Sequence, residues 1–142
     1  MAYYRNYTSK EDILNKFVDE VGTGIHEKLF SIKTEADLYN YYYALLDQLS
    51  SYNDLAITTY NAGLGEVILS QITKQMALTF PPQNTSPAEQ YRYLYLAGAF
   101  YNIFIEWLKN GQQESCAEMA KICHAFTREG FALPTKKGIE TK

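Results

Sequence analysis

The sequence predicts an all-α protein, and three observations carry that reading. Apolar residues recur at three- and four-residue intervals along most of the chain, which is the spacing of a helix face and not the alternation of a strand. Hydroxyl-bearing residues followed by acids open these periodic runs, and glycines, Asn-Gly or a proline-rich segment close them. Nowhere do two alternating runs flank a short turn, so no β-hairpin is expected, and no internal repeat appears.

Each element has its own justification. Thr8 and Ser9 are good N-cap types, and Glu11 and Asp12 place negative charge where the helix dipole favours it. Ser9-Lys-Glu-Asp12 also has capping-box spacing, with Asp in place of Glu or Gln. The stripe that follows is Ile13, Leu14, Phe17, Val18, Val21, Ile25 and Leu29. Gly22 and Gly24 are costly inside a helix, so a bend is expected near residue 23. Thr34 with Asp37 caps a second helix, whose Leu38, Tyr41, Tyr42, Leu45, Leu49 and Tyr52 are widened by Tyr39, Tyr43 and Leu46. A stripe that broad predicts the central, multiply buried helix.

Asn53-Asp54 begins a short helix ending near Asn61, and Gly63 and Gly65 separate it from a helix over Glu66–Leu78. Phe80-Pro-Pro-Gln-Asn-Thr-Ser-Pro87 is a loop, and Ser86-Pro87 supplies an N-cap with proline at the first helical position. The helix it opens runs to the stop at Asn110-Gly111. A last helix is expected from about Glu114 to Glu129, with Met119, Ile122, Cys123 and Phe126 on one face and Gly130 as its end. Residues 131–142 then read as a flexible tail.

Composition narrows the function classes. The chain has 142 residues, enough for one domain with a real core. A formal net charge of −3 argues against a surface devoted mainly to nucleic acid. Aromatic residues make up 15% of the chain, 13 of them Tyr, which suits packed cores and pockets with a few polar points alike. Cys116 and Cys123 lie about 10.5 Å apart along one helix, too far for a disulfide. With no signal peptide and no long apolar stretch, the expectation is a cytoplasmic protein with reduced thiols and no membrane partner.

Enzyme signals are poor. His26 and His124 are the only histidines, and neither follows a carboxylate by three residues as in di-iron bundles. No zinc-protease, phosphate-loop or serine-hydrolase motif occurs. Cys123 and His124 diverge by about 100° on a helix and do not easily converge with Cys116 on a metal. No catalytic residue, metal or cofactor is therefore expected.

The opening segment, Tyr3-Tyr4-Arg5-Asn6-Tyr7-Thr8-Ser9-Lys10-Glu11-Asp12-Ile13-Leu14, resembles the stretch that closes the DNA-binding domain of TetR-like transcriptional regulators. Tyr4 matches the family tyrosine, Tyr7 its core Phe and Lys10-Glu11 its Lys-Glu pair, whereas Asn6 departs from the usual His. Leu96-Ala-Gly-Ala-Phe-Tyr-Asn-Ile-Phe-Ile-Glu-Trp-Leu-Lys-Asn-Gly111, followed by Glu114-Ser115, is similar to the C-terminal signature of one subgroup of that family.

The resemblance implies a remnant of the recognition helix over residues 1–8 and an effector-binding and dimerisation domain over 9–130. The natural start would then lie upstream, with most of the helix-turn-helix. In the intact protein, Tyr4 and Lys10 would hold operator DNA through phosphates, contacts that set register without reading sequence. Tyr42, Tyr60, Met76, Phe104 and Trp107 are candidates to line a pocket for a small apolar or aromatic effector, although a filled aromatic core fits the same residues. Ala97, Gly98, Phe100, Tyr101 and Met119 are the candidate homodimer face, because the resemblance implies a four-helix bundle built from the last two helices of each subunit. Intramolecular packing is the alternative for those five residues. A ligand-free protein–protein interaction module or coactivator is the rival function, and a small helical enzyme a third.

Overall fold

Side-chain caps at Ser9, Thr34, Ser86 and Ser115 open four of the described helices. In the computed structural model, which describes residues 7–22 and 32–132, six α-helices form, and no strand occurs among the described residues. The expectations for Tyr3, Tyr4, Arg5, Asn6, Gly24 and His26 lie outside those residues.

Helix α1 spans Lys10–Phe17. Ser9 Oγ accepts from the Asp12 N–H at 3.1 Å, while the Asp12 carboxylate accepts from the Thr8 N–H at 3.1 Å. The helix continues as a π-helical turn, Val18–Gly22, so regular winding gives way where Gly22 makes it costly. Ile13, Phe17 and Val21 are buried from this segment.

Helix α2, Glu35–Ser50, opens with the full capping box: the Asp37 N–H donates to Thr34 Oγ1, and the Thr34 N–H donates to the Asp37 carboxylate. The Lys33 N–H, together with that of Thr34, donates to the Asp37 carboxylate and holds it below the usual carboxylate range. Its broad stripe buries Leu38, Tyr41, Tyr42, Leu45, Leu46 and Leu49, leaving Tyr43 exposed.

Helix α3, Asn53–Asn61, ends at Gly63 in the left-handed region (φ +83°). The Gly63 N–H donates to the Tyr60 carbonyl and the Leu64 N–H to the Thr59 carbonyl, a Schellman stop that satisfies two otherwise orphaned acceptors. Helix α4, Gly65–Thr79, follows at once.

Helix α5, Pro87–Lys109, starts on the Ser86 cap with Pro87 in its first turn. Glu89 also accepts from the Gln83 N–H at 3.0 Å, tying the 80–86 loop to the helix. The Asn-Gly stop is a second Schellman turn: Gly111 (φ +73°) donates to the Leu108 carbonyl and Gln112 to the Trp107 carbonyl.

Helix α6 spans Cys116–Ala132. Its start corrects the expected Glu114. Ser115 Oγ accepts from the Glu118 N–H at 3.1 Å and the Glu118 carboxylate accepts from the Ser115 N–H at 3.2 Å, so Ser115 is the cap. Its end is corrected as well, because the helix runs through Gly130 to Ala132. Only Phe131 and Ala132 of the expected tail are described, and they are helical.

The most extensive helix contacts are α2 with α6 and α4 with α5, while α1 packs on α3. The core between them is aromatic. Tyr41 meets Phe80 edge-on at 5.6 Å, and Tyr42 stacks on Phe100 at 5.9 Å. Phe100 stacks on Phe104 at 6.2 Å, and Phe104 lies 6.4 Å from Trp107. Each such pair adds about 0.5–1.5 kcal/mol beyond the area it buries. No described helix is long and apolar enough to cross a membrane.

A candidate ligand groove between the last two helices

Helices α5 and α6, which make few direct contacts with each other, flank a groove of about 240 Å³. The period of α5 puts Tyr95, Leu96, Ala99, Phe100 and Ile103 along one side. Cys123, Phe126 and Thr127 of α6 form the other, one turn apart, and Tyr42 of α2 lies at the floor. Tyr95 and Phe126 stand at the rim, 75% and 63% exposed, whereas Phe100 and Tyr42 are buried. The walls are therefore apolar from rim to floor.

One polar feature interrupts them. Tyr42 Oη and Thr127 Oγ1 are 2.6 Å apart, a short hydrogen bond joining positions 85 residues apart in sequence. Burial raises the Tyr42 phenol above its ordinary pKa, an effect that its bond to Thr127 partly offsets. Burial likewise pushes the Cys123 thiol up to about 12, so it stays protonated and unreactive at neutral pH. Both cysteines are free thiols. Among the described residues, no three of His, Cys, Asp and Glu gather as metal ligands.

The expected effector residues do not form one site. Tyr42 reaches the groove, but Phe104, stacked on Phe100, and Trp107, tilted against Phe104, continue the aromatic column into the core. Met76 is fully buried, and its sulfur accepts from Tyr41 Oη at 3.3 Å. Tyr60 is half-buried at the edge of the bundle, where Lys109 Nζ lies 4.8 Å over its ring and donates to its hydroxyl at 3.2 Å. Trp107 is used structurally: its indole N–H donates to the Glu114 carbonyl at 2.9 Å and fixes the α5–α6 turn.

The expected dimer residues are also redistributed. Ala97, Phe100 and Met119 belong to the chain's own core, because their face of α5 and α6 points into the bundle. The Tyr101 hydroxyl closes against Gly65, where an added Cβ would collide with it. Gly98 alone of the five borders open space. Among the described residues, the exposed large apolar side chains on these two helices are instead Tyr91, Leu94, Tyr95, Ile122 and Phe126. Helical spacing pairs Tyr91 with Tyr95 and Ile122 with Phe126, a signal present in the sequence but masked by neighbouring aromatics.

Of the two expected phosphate contacts, Tyr4 lies outside the described residues. Lys10 is exposed at the start of α1, with its Nζ beside Gly63 at the C-terminal end of α3, where the helix dipole favours a cation. Compared with known proteins, the chain matches no family model, no curated protein and no solved structure.

Proposed function

We propose that this chain is the regulatory part of a TetR-like transcriptional regulator that pairs with a second copy through α5 and α6. The observation that carries the reading is the apolar outer face of those helices, where Tyr91, Tyr95 and Phe126 stay largely exposed in the single chain. Exposed apolar surface of this kind marks an interaction site, and two long helices set apart by the groove between them offer it to a second copy. The expectation of a dimer is retained, and its residues move outward from Ala97, Phe100 and Met119 to Tyr91, Tyr95, Ile122 and Phe126.

Regulation under this reading is a shift between two arrangements of the heads that precede α1. An effector acts only through its different affinity for the two. The π-helical turn at Val18–Gly22 is the place where α1 can change direction at low cost, since its backbone pairing is already irregular. The test is footprinting the product of the whole reading frame on DNA flanking its gene. Protection of two half-sites about one helical turn apart supports the reading, and an absence of protection overturns it.

The second reading is an interaction module without a small-molecule effector. The aromatic column of Tyr42, Phe100, Phe104 and Trp107 favours it, because those rings fill the place where the effector was expected.

A further inference from the structure

We infer that the α5–α6 groove binds a small, neutral aromatic molecule, with its ring against Phe100 and a polar substituent on the Tyr42–Thr127 hydroxyl pair. Size comes first. A dry cavity of about 150 Å³ holds benzene, so the groove's 240 Å³ scales to about ten non-hydrogen atoms, a bicyclic ring or a substituted monocycle. The walls come second. Phe100, Phe126 and Tyr95 offer aromatic faces and edges, and Ala99 leaves the gap between them unfilled.

Polarity selects within that class. No charged side chain lines the groove among the described residues, so a carboxylate or ammonium would lose its hydration without a partner. At the floor, Tyr42 Oη and Thr127 Oγ1 share one proton between them. That leaves one hydroxyl hydrogen and further lone pairs for a ligand hydroxyl or carbonyl. A few recessed polar atoms in an apolar cleft are what fix a ligand's orientation. The rim residues Tyr95 and Phe126 also belong to the proposed pairing face, so a ligand bound there would be capped by a second copy. The groove itself is complete within one chain, and the inference does not depend on the regulator reading.

The probe is 2-naphthol, which is neutral at pH 7, and binding is followed through the protein's amide resonances. Saturable one-to-one binding is expected, with a Kd on the order of tens of micromolar and shifts centred on residues 95–103, 123–127 and Tyr42. Ala99→Phe, a change at an exposed helix position that fills the gap, should weaken it by about tenfold or more, with Ala99→Met as the milder version should the first disturb folding. 2-Naphthoate should bind about tenfold more weakly than 2-naphthol, and Leu78→Ser, at an exposed apolar site on α4, should change nothing.

Failure to saturate by about 1 mM, or full affinity in Ala99→Phe, overturns the inference. So does loss of self-association in Ala99→Phe without 2-naphthol binding to the parent, because the groove then belongs to a side chain of the second copy. Binding by a strictly monomeric chain upholds the groove and removes only the pairing proposal, whereas dimers that ignore 2-naphthol do the reverse.

Discussion

The hydrogen bond between Tyr42 and Thr127 gives the most direct check on how the groove is built. Tyr42→Phe keeps the ring stacked on Phe100 and removes only Oη, leaving Thr127 Oγ1 buried without its 2.6 Å partner. A buried hydroxyl stripped of its partner costs about 1–3 kcal/mol. Thr127 sits inside α6 and can turn back to the carbonyl four residues earlier, which places the expected loss at the lower end, about 1–1.5 kcal/mol. Thr127→Val removes the other half and should cost a similar amount, because it strands the Tyr42 phenol. Once either partner is gone, losing the second costs little, so the double variant should be about 1 kcal/mol more stable than additivity requires. Urea unfolding followed by circular dichroism supplies the three differences at unchanged m-value. In heat, each kcal/mol corresponds to about 3 °C for a chain of 142 residues. Additivity within about 0.3 kcal/mol would refute the bond as a coupling between α2 and α6.

Three further outcomes follow from the same geometry. Trp107→Phe keeps most of the buried area but loses the indole N–H bond to the Glu114 carbonyl, so it should cost about 1–2 kcal/mol in urea and speed amide exchange at residues 110–115. Ser115→Ala removes the α6 cap and should cost about 1 kcal/mol by the same assay, while Glu118→Gln, which keeps an acceptor, should cost less. Burial raises the folded-state pKa of Cys123 from 9.0 to about 12 and of Tyr41 and Tyr42 above 10.0. The folded protein therefore holds protons that the unfolded chain releases. Stability should be full below about pH 9 and fall above it, by up to about 1.4 kcal/mol per pH unit for each group, and a flat profile from pH 9 to 11 by chemical denaturation would contradict this.

Much of the fold was legible because capping and stopping are local chemistry. Thr34 with Asp37, Ser86 with Pro87 and Asn110 with Gly111 each act over three or four residues, and each works as its spacing implies. The reciprocal Ser115–Glu118 box has the same three-residue spacing and places the α6 cap one residue beyond the acidic Glu114. Gly130 is the residue type of a stop, yet α6 continues past it, since a glycine weakens a helix without obliging it to end.

The site was less legible, and α5 shows why. Tyr91, Tyr93, Tyr95, Phe100, Tyr101, Phe104 and Trp107 occupy nearly every direction around that helix, so periodicity cannot say which face turns inward. Packing within the bundle, against α4 and against Tyr42 of α2, decides it, burying Ala97, Phe100 and Phe104 and leaving Tyr91 and Tyr95 outside. The same ambiguity makes Tyr60 a pocket candidate, whereas Lys109, 49 residues later, holds it at the edge of the bundle. Long-range partners of this kind leave no trace in local spacing.

The central claim, that the outer face of α5 and α6 pairs two copies, is tested most directly by sedimentation equilibrium of the chain and its Tyr91→Glu variant. Tyr91 is 66% exposed and lies outside the groove lining, so the substitution disturbs neither the core nor the ligand site. A species of twice the 16.3 kDa chain mass is expected for the parent, and for the variant a dissociation constant raised by about tenfold or more. A parent that stays at 16.3 kDa up to about 0.5 mM, or a dimer indifferent to Tyr91→Glu, would contradict it.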